Sequence, residues 1–305
     1  FAEGKMTGVF QLESRVAQST SRSLKPKRFE DIVALVALIR PGPLGAGMHN
    51  EFADRANNRK EIEYLHNDLE SILNETYGVI LYQEQVMQIA EKIAGFNLQE
   101  ADNLRVAMGK KIPKVMEEQR KKFTDGAVSN NYSEQFAIEL FDQIAYFAGY
   151  GFNKSHSVPY ALLAYQTAYL KANYPAEYIA ACLTAVKRDK DRTAIFLSEA
   201  RDMGVKVSTP DVNLSSSDFT VNDNEILFGL SAVRNVGDIT ADKIVFERES
   251  NGDFKSIEEF LSRIDSRSLN KRGVEALIQG GGLDKFGHTR TVSYTHLRAH
   301  ETRTH

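Results

Sequence analysis

From residue 14 to about 203, apolar side chains recur at spacings of three and four, as in Val86, Ile89, Ala90 and Ile93. The spacing predicts a succession of helices over 29–39, 69–73, 83–94, 100–108, 114–125, 134–147, 159–173, 176–186 and 192–203. Gly and Pro punctuate their ends, at "RPGPLGAG", "ETYG", "MGKKIP" and "NYPAEY". The pattern changes at "VKVSTPDVNLSSSDFTVNDNEILFGL", where short apolar runs over 219–221 and 225–228 flank "NDN" and predict a β-hairpin. Four short helical stretches with hairpin-like links follow, over 232–235, 239–250, 256–264 and 270–280. The fold class is mainly α. A multi-helical domain is expected over 1–205, a β-hairpin with a small domain of helical hairpins over 206–287, and a tail over 288–305.

With 305 residues, 42% hydrophobic and 26% charged, the chain can bury a core and divide into two domains. A formal net charge of -3 excludes a protein held on nucleic acid by bulk charge, so any such binding must come from local patches. Cys182 is the single cysteine, which rules out an internal disulfide framework and a cysteine-based zinc site and reads as a small core residue. The longest aliphatic run, "IVALVALI" over 32–39, falls far short of the roughly 20 residues that a membrane span needs. The N-terminus lacks the pattern of a signal peptide, and a cytoplasmic chain without a membrane partner is expected. The opening "FAEGKMTGVFQLES" starts in mid-pattern, as a piece of a longer protein does.

Two stretches carry candidate chemistry. In "ADNLRVAMGKKIPKVMEEQRKKF" seven basic residues lie between Arg105 and Lys122 against two acidic ones. Arg105 precedes the Gly109 break and the pair Lys110 and Lys111 by about one turn, so the three cations can converge on one polyphosphate or nucleic-acid backbone. A solvated helical face fits the same residues. In "FAGYGFNKSHSVPYALLAYQTAYLKANYPAEY", Gly149 and Gly151 permit an unusual backbone path, Ser155 or Ser157 can cap the next helix, and Pro159 suits its first turn. Helix amides, Lys154 and His156 then form an anion cradle with Asn153 orienting the loop. A satisfied cap beside an exposed lysine accounts for the stretch equally well. Behind it, Tyr160, Leu163, Tyr165, Tyr169, Leu170 and Tyr174 are expected to form core.

Catalytic machinery is harder to find. The only Asp-x-Asp, Asp189 and Asp191, reads as a helix cap, and there is no P-loop, G-x-S-x-G or H-E-x-x-H. No catalytic or metal-binding residue is therefore assigned within the chain. The last stretch, "VSYTHLRAHETRTH", resembles translated sequencing adaptor and is expected to be disordered, and His296 and His300 in it lack the acidic partners that metal ligands have.

The blocks "TGVFQLES", "ALIRPGPL", "YGVILYQEQVMQIA", "LRVAMGKK" and "FAGYGFNKSHSVPYALLAYQTAYLKANYPAEY", in this order, closely resemble the fingers region of the α subunit of bacterial DNA polymerase III. The resemblance covers about 4–287. It implies a fingers domain that binds the incoming deoxynucleoside triphosphate through Arg105, Lys110, Lys111, Asn153, Lys154 and His156. "GLSAVRNVGDITADKIV" and "LNKRGVEALIQGGGL" look like that family's tandem helix-hairpin-helix domain, which implies duplex contacts from Arg234, Asn235, Gly237, Lys243, Lys271 and Arg272. The resemblance also implies a palm, with catalytic aspartates and Mg2+, before Phe1, and segments that meet the sliding clamp and other replisome subunits after Gly287. This chain alone is accordingly expected to show no primer extension. Two departures stand out: Arg105-Val106 replaces a frequent pair of arginines, and Asn235-Val236-Gly237 replaces a hairpin with two glycines. Asn tolerates the left-handed conformation that such a turn needs. The alternative reading is a non-enzymatic helix-hairpin-helix DNA-binding protein.

Overall fold

A computed structural model describes residues 1–110, 112–148, 150–265 and 268–303. The chain divides into two compact units, Phe1–Ala168 and Tyr169–His305. The expected boundary at 205 falls inside the second of these.

Unit 1 begins with α1 (Arg15–Leu24), α2 (Phe29–Leu38), α3 (Pro41–Gly45) and α4 (Met48–Ala56). It continues through α5 (Glu70–Leu73), α6 (Gln83–Ala94), α7 (Leu98–Lys110), α8 (Pro113–Ser129), α9 (Glu134–Ala148) and most of α10 (Lys154–Asn173). Every residue of α2 from Asp31 to Leu38 is buried, so this helix is the axis of the first core. Its start is fixed by Asp31, which accepts from the amides of Lys27 at 2.9 Å and Arg28 at 3.3 Å and from the Tyr77 hydroxyl at 2.9 Å. A second core gathers Val86, Ile89, Ala90 and Ile93 of α6 with Leu104, Phe123, Leu140 and Ile144. Gly126 lets α8 approach α6 closely, because a Cβ there would lie 2.2 Å from the carbonyl oxygen of Ala94. Helices α1 and α4 escape the sequence reading. The buried face of α1 is Ala17, Thr20, Ser21 and Leu24, which is mostly small and polar.

The packed face of α10 corrects the expectation of an aromatic core. Within unit 1 its buried residues are Ser157, Ala161 and Ala164, with Ser157 Oγ donating to the Val33 carbonyl at 2.6 Å. Leu163, Tyr165, Tyr169, Leu170 and Tyr174 are 44–53% exposed, and only Tyr160 is partly buried against the core. The stripe that packs is made of small side chains at i, i+4 and i+7, so the helix backbone lies close to its neighbour and the large rings stand clear. Pro159 lies inside α10, which starts at Lys154 and is therefore longer than expected.

Unit 2 contains the end of α10, α11 (Pro175–Val186), α12 (Lys190–Asp202), three strands, and α13 (Asp238–Asn251), α14 (Ile257–Arg263), α15 (Lys271–Gly280) and α16 (Arg290–Arg303). The expected hairpin is β2 (Thr220–Asn222) with β3 (Glu225–Leu227), turning through Asp223 and Asn224 at positive φ. A further strand, β1 (Lys206–Val207), pairs parallel to β3 and gives the order β1-β3-β2. The tail does not follow the expectation of disorder. Helix α16 buries Leu297 and Ser293, and Arg290 binds Asp284 at 2.9 Å, because Leu297 meets the apolar face of the hairpin domain.

Candidate functional site

In unit 1 the loop before α10 is held as a short seam against the start of α6. Tyr82 and Phe152 form an isolated parallel bridge, with Phe152 N–H donating to Leu81 O at 3.1 Å and Gln83 N–H to Phe152 O at 3.0 Å. Gln83 Nε2 adds a bond to Gly151 O at 3.1 Å. Beneath the seam, buried Gln85 accepts from the amides of Leu81 and Tyr82, both at 2.9 Å, and donates to Thr76 Oγ1 at 2.8 Å and Ile72 O at 3.3 Å. The first two bonds fix the backbone that leads to Gln83 and Glu84, and the other two tie it to the segment over 72–76.

The first turn of α10 is capped from two directions. Asn153 Oδ1 accepts from His156 N–H at 2.8 Å, so Asn153, rather than Ser155 or Ser157, is the local cap. The Glu84 carboxylate accepts from Lys154 N–H at 2.9 and 3.0 Å and from Ser155 N–H at 3.4 Å. A carboxylate thus sits where the helix amides and dipole favour an anion. Lys154 Nζ binds Glu75 at 2.6 Å and lies 5.6 Å from the Tyr82 ring, whose phenol burial pushes well above its usual range, with Glu75 and Glu84 adding to the effect. His156 stacks on Tyr160 at 4.4 Å and meets the edge of Phe152 at 5.5 Å, while the Arg40 guanidinium lies 4.5 Å from the Phe152 ring.

Arg105 reaches the same seam from α7. It pairs with Asp102 at 2.8 Å and touches Gln83 Oε1 at 3.5 Å, one side chain away from Gly151. The structure therefore brings Arg105, Asn153, Lys154 and His156 to one region. Lys110 is exposed at the end of α7, and among the described residues no contact ties it to the seam; Lys111 lies outside the described residues. Gln83, Glu84, Gln85 and Glu75 have no role in the sequence reading. The signal for Gln83, Glu84 and Gln85 was the polar run "YQEQ" directly after the apolar "GVIL", at a helix start; Glu75 lies in the separate stretch "NETYG".

In unit 2 two helical hairpins stand side by side. The first passes from a 3-10 turn at Leu230–Ala232 through Asn235 to α13, and the second joins α14 to α15. Asn235 adopts φ 62°, so it supplies the left-handed residue where the pattern lacked a glycine. Gly237 has φ -85° and no atom within 4 Å of a Cβ position, so it is not there for conformational freedom. The glycine that packing demands is Gly273. A Cβ on it would meet Leu269 Cδ1 at 2.6 Å and Asn235 O at 3.1 Å, so it sets the distance between the hairpins. Lys243 Nζ and Thr240 Oγ1 bond Ser268 at 2.7 Å each and tie α13 to the second hairpin. Asn270 caps α15 by accepting from Gly273 N–H at 3.0 Å, and Lys271 and Arg272 are exposed on its first turn, as Arg234 is on the first hairpin.

The start of α13 is anchored by Lys187, whose Nζ meets Asp218 at 2.6 Å, Asp238 at 2.5 Å and Ser231 Oγ at 2.9 Å. Hydrogen bonds from Lys187 and then Arg188 hold the Asp238 carboxyl at about 2. Asp189 accepts from the amides of Asp191 at 3.1 Å and Arg192 at 3.0 Å and is a helix cap. His296 pairs with Glu258 and stacks on His288 at 5.0 Å. Among the described residues no group of three His, Cys, Asp or Glu side chains is arranged to hold a metal ion. No helix among the described residues is long and apolar enough to cross a membrane.

Residues 1–131 match the bacterial DNA polymerase III alpha subunit finger domain, and residues 204–293 match the helix-hairpin-helix motif. The DNA polymerase III subunit alpha of Saccharopolyspora erythraea is 47% identical over 302 residues, covering 98% of this chain and 25% of the relative. That of Thermus aquaticus is 48% identical over 289 residues (94% and 24%), and that of Mycobacterium tuberculosis 46% over 291 residues (94% and 25%). The chain spans about a quarter of the length of these relatives. Similarity along nearly the whole chain, with both regions matched in order, places it in the bacterial DNA polymerase III alpha subunit family, of which it carries the finger and helix-hairpin-helix regions.

Proposed function

We propose that this chain is the nucleotide-positioning and duplex-gripping part of a replicative DNA polymerase, whose whole protein adds deoxynucleotides to a primer 3′ hydroxyl by two-metal transfer. The observation that carries the reading is the seam on which Arg105, Asn153, Lys154 and His156 meet around Gln83 and Gly151. Triphosphate oxygens compete there with Glu84 for the amides of Lys154 and Ser155, and with Glu75 and Asp102 for the two cations. Such exchange of one anion for another costs little desolvation, since the donors stay paired throughout. Lys110, exposed at the end of α7, and Lys111, its neighbour in the sequence, are assigned to the same phosphates.

The hairpins take a different task. Exposed Arg234, Lys271 and Arg272, with Asn235, Gly237 and Lys243, hold the phosphates of a primer-template duplex without reading its bases. Sliding clamp and replisome contacts belong to other parts of the polymerase. The test uses a polymerase of full family length carrying this chain and measures KM for deoxynucleotides in Arg105→Ala and Lys154→Ala. Each loses a charge-assisted contact, so KM rises about tenfold to a hundredfold at unchanged duplex affinity. A KM equal to that of the unchanged enzyme in both variants would reduce the seam to a structural joint.

A further inference from the structure

Unit 2 has an open cavity of about 1000 Å³ between α12, β1, the first hairpin and α15. Its floor is aliphatic, from Leu197, Val233 and Ala276, with Phe228 the one aromatic ring among the described residues of its lining. Its rim carries Arg201, Arg234 and Arg272. All three are exposed, and among the described residues none of their guanidinium groups makes an ion pair or hydrogen bond. Lys206 adds a fourth cation, which shares Glu225 at 3.2 Å, and Glu275 is the one carboxylate among the described residues of the lining. In a chain of net charge -3, this is a local excess of positive charge around an apolar floor.

Strand β1 forms one wall of the cavity and is an edge strand. Ser208 N–H bonds Ile226 O at 2.9 Å, towards β3. Alternate residues of a strand face the same neighbour, so the N–H and C=O of Val207 point away from β3, to the open edge. Val207 also lines the cavity. An open edge beside an apolar pocket is the arrangement that binds extended peptides by strand addition, with the backbone giving affinity and the pocket selecting alternate side chains.

We propose that this cavity docks an extended acidic and apolar peptide segment of a partner protein. The peptide backbone pairs with Val207, an aliphatic side chain enters between Leu197 and Ala276, and flanking carboxylates meet Arg201, Arg234 and Arg272. Charge complementarity selects the acid, because an unpaired guanidinium takes a carboxylate in bidentate fashion. The floor selects against single-stranded nucleic acid, whose bases need aromatic faces on which to stack. The proposal does not rest on the nucleotide reading. Because Arg234 and Arg272 also belong to the proposed duplex surface, peptide and duplex compete for them.

The experiment follows anisotropy of a fluorescein-labelled peptide of sequence DELVED with the whole chain. Saturable binding is expected, weakened about tenfold or more by Arg201→Glu, by Ala194→Glu on the exposed rim, by reversing the peptide to KKLVKK, and by N-methylating its central amides. Neither protein variant touches a proposed nucleotide or duplex contact, and circular dichroism confirms that each is folded. No binding by DELVED, equal binding by KKLVKK or by the N-methylated peptide, or indifference to both variants overturns the proposal. So does a single-stranded dT oligonucleotide that occupies the site and resists displacement by the peptide.

Discussion

At the first turn of α10 the protein supplies its own anion: Glu84 accepts from Lys154 and Ser155, and Asn153 accepts from His156. At the first turn of α13 no side chain caps the helix at Gly237, and the acid beside it, Asp238, is taken up by Lys187 and Arg188. The sequence offers the first as an anion cradle, and at the second only the family resemblance implies a phosphate contact. They differ because the capping carboxylate of α10 comes from a residue 70 positions earlier in the chain, whereas Asp238 is drawn off by a lysine anchored 51 positions away. A helix N-terminus is thus closed or left open by long-range partners, which local sequence does not display.

The largest effect is expected under the α10 seam. Gln85→Ala leaves the buried amides of Leu81 and Tyr82 without their acceptor, at about 1–3 kcal/mol each, so urea unfolding should show a loss of roughly 3 kcal/mol or more. Duplex affinity, which the account assigns to unit 2, should not move. An equal fall in duplex binding by the folded variant would break the division of labour between the two turns.

Next come the two hairpin glycines. Gly273→Val forces a side chain against Leu269 and Asn235, and should cost about 1–3 kcal/mol and weaken duplex binding by separating the hairpins. Gly237→Val enters open space at ordinary φ, so stability should stay within about 0.5 kcal/mol while duplex binding weakens, because the new side chain shields the uncapped amides. Two variants that behave alike would merge the packing role and the contact role that the structure keeps apart.

A smaller effect follows pH. The Asp238 carboxyl is held at about 2 against an ordinary 3.8, so its pairing with Lys187 and Arg188 stabilises the fold fully above the ordinary value and is lost as pH falls from about 4 towards 2. Asp238→Asn should flatten the melting temperature over that window and leave its neutral-pH slope unchanged. An unaltered acid limb in the variant would remove Asp238 from the account.

Much of this fold was legible where local rules agree. The range 83–94 was fixed by Val86, Ile89, Ala90 and Ile93 and by Gly95 at its end, and α6 has those bounds. The β-hairpin followed from "NDN", and Asn235 took the left-handed conformation that its side chain tolerates. The face of α10 was not legible, because large side chains were read as core while Ser157, Ala161 and Ala164 make the contact. The tail was misread for the converse reason: a foreign composition hid Leu297, one apolar residue placed to pack. Of the candidate site, the cations could be seen and the carboxylates around Lys154 could not, since Glu75 and Glu84 lie far from Lys154 in sequence, whereas Asp102 stands three positions from Arg105.

We propose that the donors now holding Glu84 are those that hold triphosphate oxygens. The direct measurement is KM for deoxynucleotides in Glu84→Gln, made in a polymerase of full family length carrying this chain. Gln keeps a cap oxygen but gives up the competing charge, so KM should fall severalfold while Lys154→Ala raises it. If Glu84→Gln raises KM as Lys154→Ala does, Glu84 supports the site rather than competes for it, and the exchange of anions at α10 is contradicted.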